Sequence, residues 1–152
     1  MIPDTPFFSQ LMADNPKSVA LQAIDALFIH RDLDLYETFV ADDAVHKNRE
    51  PGSAIWKIHR YKRSQQPRHV LSQVWFFDAN ELDRLESLYP HKLWSRVRGH
   101  IGQQQGVLIK LALTGKDRDR AISLGEDPNE VGMMTWVLSD DCPSKIVHVD
   151  FS

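Results

Sequence analysis

The apolar residues of this chain change their period near residue 67, and that change limits the fold more than any other feature of the sequence. Before it they recur at three and four residues: Val19/Ala20, Ala23/Ile24 and Leu27/Phe28, then Leu33, Tyr36, Phe39 and Val40, then Ala54, Ile55, Ile58 and Tyr61. After it, runs rich in branched and aromatic residues follow, beginning with Val70 to Phe77. Helices come first and strands second, an order that argues α+β with helices packed on an antiparallel sheet.

The helix boundaries have local causes. Asn15-Pro16 starts the first helix, with Asn as the N-cap and Pro at the first helical position, and the helix is expected to run to about Ile29. Asp32 caps a shorter second helix ended by Asp42-Asp43, and Ala44 to Lys47 is a brief strand or a loop. Ser53 caps a third, which stops at Gln65-Gln66-Pro67. Residues 1–14 form an N-terminal extension to a single domain spanning 1–152.

In the second half, Leu93 to Ile101 is taken as the central strand. Period-two reading places Trp94, Arg96, Arg98 and His100 on one face, a wet surface or the floor of a polar pocket. Val107 to Leu113 is its return strand. Residues 79–92 fit a helical turn or a strand, and the charged stretch 116–130 reads as a long surface loop. Met133 to Leu138 and Ile146 to Phe151 close the sheet through a hairpin at Asp140-Asp141-Cys142-Pro143-Ser144.

Composition excludes several function classes. A net charge of −3 argues against general nucleic-acid binding. The basic cluster Lys57, His59, Arg60, Lys62, Arg63, Arg68 and His69 reads as a solvated face. One cysteine, Cys142, allows neither an intrachain disulfide nor a cysteine metal cluster. No apolar run spans a membrane and no signal peptide is evident, so a soluble cytoplasmic protein is expected. Without a phosphate loop, His-x-x-x-His pair or nucleophile elbow, no metal and no cofactor are expected.

Several ordered strings resemble the nuclear-transport-factor-2-like superfamily, in particular its SnoaL-like polyketide cyclase branch. They are Arg31-Asp32-Leu33-Asp34, Phe39-Val40-Ala41-Asp42-Asp43-Ala44-Val45-His46, Arg98-Gly99-His100-Ile101-Gly102, Leu113-Thr114-Gly115-Lys116 and Lys145-Ile146-Val147. Leu113 stands where the family usually has Pro, and Ser144 where it commonly has Gly. The resemblance implies a cone-shaped α+β barrel with one open end, often a homodimer through its sheet face. It also implies a pocket for a small, largely apolar molecule and cofactor-independent proton transfer by an isomerase, cyclase or dehydratase. The other expectation is a non-catalytic binding or association module, because this fold serves both.

The candidate catalytic residues are Asp150, His148 and His100. His148 and Asp150 share a strand face with Ile146, opposite Val147, Val149 and Phe151; that face is the pocket or a solvated exterior. A buried carboxylate or imidazole can act as general base. His46, Asp25, Tyr36, Trp56, Arg96 and Arg98 are candidate substrate-binding residues. Arg96 and Arg98 offer planar donor forks for an anion, or for a partner subunit.

Overall fold

The computed structural model describes residues 15–46, 69–129 and 132–151. The expected third helix, Trp56, most of the basic cluster and the N-terminal extension lie outside the described residues.

Helix α1 (Pro16–Ile24) begins as expected: the Asn15 side chain accepts the Ser18 amide at 2.8 Å. Its continuation is a π-turn (Asp25–Ile29), so the helical path does reach Ile29, but with a wider last turn. Asp32 caps α2 (Leu33–Glu37) by accepting the Leu35 amide at 3.1 Å. Strand β1 (Val40–His46) follows at once. Asp42 and Asp43 therefore lie on a strand and point to solvent instead of ending a helix.

Strands β2 (His69–Phe77), β3 (Gln105–Leu113), β4 (Gly132–Leu138) and β5 (Ile146–Phe151) complete one sheet in the order β1-β5-β4-β3-β2. The β2–β3–β4–β5 pairs are antiparallel. The sheet as a whole is mixed, because β1 runs parallel to β5. It is an open α+β layer, not a closed barrel.

The stretch read as the central strand is helix α4 (Leu93–Ile101). Leu93, Val97 and Ile101 are four residues apart, a spacing that satisfies a period of two and a helical face equally well. Trp94 decides between them: it is fully buried beside Leu93, Val97 and Ile101, while Ser95 and Gly99, on the supposed apolar side, are exposed. Arg98 and His100 lie in the last turn, where cations suit the helix dipole. Gly102, at φ +50°, ends it. Residues 79–88 are helical too, a 3₁₀ turn (Ala79–Glu81) leading into α3 (Leu82–Leu88).

The expected loop 116–130 begins as helix α5 (Gly115–Ser123). Only Ala121 of that helix is buried, so it leaves no apolar stripe to read.

Helices cover both faces of the sheet, not one. On the inner face, Val19, Ala20, Ala23 and Ala26 pack on Val107, Ile109, Met134, Trp136 and Val149. On the outer face, Leu82, Leu85, Leu93, Trp94 and Val97 pack on Phe77, Leu108 and Val137. At about 25 cal/mol per Å² of apolar surface removed from water, these two layers are the main stabilising force.

Candidate functional site

Sheet register settles which candidates share a face. Across the inner face, His46 lies beside Val149, Val149 beside Trp136, Trp136 beside Val107, and Val107 beside Phe76. Alternation along β1 buries Val40, Ala44 and His46 toward the N-terminal helices. From α2, Tyr36 packs its ring on Trp136 with centroids 5.6 Å apart and planes at 40°. His46, Tyr36 and Trp136 are all fully buried. Among the described residues the indole Nε1–H of Trp136 has no hydrogen-bond acceptor. An imidazole, a phenol and an indole thus line one apolar layer, where each polar group acts at low dielectric.

His148 and Asp150 lie on the outer face, beside Val137 and Thr135 respectively. Ile146 does not share their face. A register shift between Val137 and Leu138 carries Ile146 into the inner core and turns Val147 outward. Helix α4 closes over this patch. Arg96 donates from Nε and Nη2 to the two carboxylate oxygens of Asp150, at 2.5 and 2.8 Å. The Phe151 amide donates to Asp150 Oδ1 at 2.8 Å. The hydrogen bond to Asp150 raises the Arg96 pKa.

His100 stacks on His148 with ring centroids 4.1 Å apart and planes at 15°. His148 Nε2 is 4.0 Å from Asp150 Oδ2, and neither of its ring nitrogens has a hydrogen-bond partner among the described residues. Burial drives the His148 pKa down to about 4, helped by the neighbouring His100 and Arg96 and opposed by Asp150. The ring is therefore neutral at pH 7. Thr135 Oγ1 is another buried group of this face without a partner.

The structure thus divides the candidates. Asp150, His148, His100 and Arg96 come together where α4 packs on β5, while His46 and Tyr36 lie on the opposite face. Asp25 belongs to neither: its side chain is 56% exposed and pairs with His30 Nε2 at 3.0 Å. Arg98 turns away from the sheet to Asp83 (2.5 Å) and Glu86 (2.9 Å) on α3. Both guanidinium groups thus pair with carboxylates of the same chain. Trp136 escaped notice in the sequence, although Met134, Trp136 and Leu138 alternate onto the inner face; reading which face its strand buried would have found it.

A cleft of about 150 Å³ opens at the sheet edge between β2 and α3, lined by Trp75, Phe77, Arg84, Leu85 and Leu88. It touches neither group of candidates. Among the described residues no His, Cys, Asp and Glu cluster could hold a metal ion, and no helix is long and apolar enough to cross a membrane.

No family model matches the chain, and no curated protein matches it. Its fold does have a solved counterpart, the crystal structure of a candidate ketosteroid isomerase from Shewanella frigidimarina NCIMB 400. The likeness has a TM-score of 0.51 at 12% identity and covers 90% of this chain and 94% of that one. The shared fold is α+β, with helices packed on an open mixed sheet. At this identity the likeness speaks for architecture alone.

Proposed function

We propose that the protein binds a small, largely apolar molecule between its N-terminal helices and the inner sheet face, and moves a proton on it as an isomerase does. The observation that supports this reading is the burial of His46, Tyr36 and Trp136 on that one face, with Tyr36 packed on Trp136. His46 is the proposed general base and Tyr36 the donor to the oxyanion that forms when a carbon acid next to a carbonyl loses its proton. The candidate ketosteroid isomerase with the same fold makes a ketone the first substrate to try. A homodimer, if formed, would use surfaces other than the outer sheet face that α3 and α4 cover; light scattering at two concentrations measures it.

The test is conversion of 3-cyclohexen-1-one to its conjugated isomer, followed by ultraviolet absorbance. His46→Gln is expected to lower kcat by about 10²-fold or more, the usual worth of a general base. Binding without turnover in the unaltered protein would instead fit a ligand-binding module.

A second reading has its own observation. His148 is neutral and buried, and the Asp150 carboxylate 4.0 Å away favours its protonated form. In that reading Asp150, His148 and His100 carry the proton transfer beneath α4. His148→Gln would then abolish turnover and His46→Gln would not.

A further inference from the structure

We infer that the cleft between β2 and α3 binds a free α-amino acid with an aromatic or branched apolar side chain. This site lies on the outer face, away from His46 and Tyr36, and stands independently of the isomerase reading. One wall comes from the strand. Trp75 and Phe77, two residues apart, share its outer face, and Trp75 stays 37% exposed. The other wall comes from the helical stretch that crosses the sheet edge. Glu81 at the end of the 3₁₀ turn, then Arg84, Leu85 and Leu88 on α3, line the cleft at the three- and four-residue spacing of one helical face.

Size and charge together define the ligand. An apolar cavity of about 150 Å³ has room for one benzene ring, whereas sites for drug-sized molecules begin at about 300 Å³. This cleft measures about 150 Å³ and opens to solvent. It therefore takes a single ring or a branched alkyl group, with the polar end of the ligand left at the rim. Glu81 and Arg84 stand there, both exposed. Opposite charges three residues apart on a helix commonly pair, yet among the described residues neither side chain has an ion pair or hydrogen bond. The other charges of α3 are engaged: Asp83 and Glu86 hold Arg98 at 2.5 and 2.9 Å. A simple carboxylate in the cleft would be attracted by Arg84 and repelled by Glu81, and a simple amine would meet the reverse. An α-amino acid carries its ammonium and carboxylate on one carbon, next to the side chain that fills the cleft, and so answers both charges at once. Exposed charge pairs are weak, so charge selectivity, more than tight binding, is the signature of the site.

The experiment uses three probes that share one ring and differ in charge: L-phenylalanine, phenylacetate and 2-phenylethylamine. They are titrated at low salt into the ¹⁵N-labelled full chain. The indole N–H resonance of Trp75, assigned with Trp75→Phe, reports on the cleft. It is expected to shift with all three and to saturate with L-phenylalanine at roughly fivefold lower concentration, the range of one exposed charge pair. Glu81→Gln should remove the preference over phenylacetate and keep that over 2-phenylethylamine. Arg84→Gln should do the opposite. Both side chains are exposed, and unchanged resonances elsewhere show that the variants fold. Equal affinity for the three probes, tighter binding of a singly charged one, a preference that survives its own variant, or an unmoved Trp75 signal overturns the inference.

Discussion

Arg96 on α4 and Asp150 on β5 are 54 residues apart and meet in a two-point ion pair, with Asp150 fully buried and Arg96 about one quarter exposed. A buried carboxylate held by a guanidinium fork and a backbone amide is well placed to fasten a helix to a sheet. Removing one partner leaves the other charge without compensation, which costs about 3–5 kcal/mol. Asp150→Asn is therefore expected to lower the urea midpoint strongly. Pairing Asp150→Leu with Arg96→Met should recover much of the loss, since an apolar pair of similar size avoids the desolvation cost. A midpoint for Asp150→Asn equal to that of the unaltered protein would refute this role.

Arg98, two residues along the same helix, gives the opposite expectation. Its partners are exposed, Asp83 at 92% and Glu86 at 47%, and water and salt screen such pairs. Arg98→Ala should leave the urea midpoint unchanged within error. A clear loss would mean that the aliphatic part of Arg98 packs against α3.

Acid should loosen the outer layer through His148. Its folded pKa of about 4 lies below the ordinary 6.5, so the unfolded chain binds the proton more tightly. The stability contributed is present in full above about pH 6.5 and is lost as pH falls from there toward 4. At about 1.4 kcal/mol per tenfold in proton affinity, the loss approaches about 3 kcal/mol. The charged or titratable groups facing the ring are His100 and Arg96 from α4 and Asp150 on its own strand. Urea titrations at pH 7.5, 6 and 5 should show the decline, and His148→Gln should flatten it. An unchanged slope in His148→Gln would assign the acid sensitivity to other groups.

The sequence was legible where one period dominated and opaque where two coincided. Asn15 and Asp32 announced their helices because a cap acts within three residues. Strands β2, β3, β4 and β5 showed their branched, aromatic composition, and α+β order followed. Leu93, Val97 and Ile101 misled because a spacing of four belongs to both periods, and α5 because a helix with one buried residue carries no stripe. The pairing of Asp150 with His148 was read correctly as one face, yet its partner Arg96 comes from the other layer, which strand alternation cannot reveal. The parallel placement of β1 beside β5 was likewise invisible, since it joins the first strand to the last.

Gly106 offers a test of the register itself. It lies opposite Phe77 in the β2–β3 ladder and opposite Val137 in β4. The Phe77 ring, 3% exposed, lies over the glycine and meets the edge of Trp94 with centroids 5.9 Å apart. A Cβ at residue 106 would run into that ring. The ring is fixed between α4 and the sheet, so it has little room to yield, and overpacking of this kind costs about 1–3 kcal/mol. Gly106→Ala should lower stability by that amount, although alanine suits the backbone of a strand better than glycine does. Phe77→Leu in the same chain removes the ring edge and should make the alanine tolerable, so the two changes together cost less than the sum of each alone. Strict additivity in that cycle would show that residues 77 and 106 do not face each other.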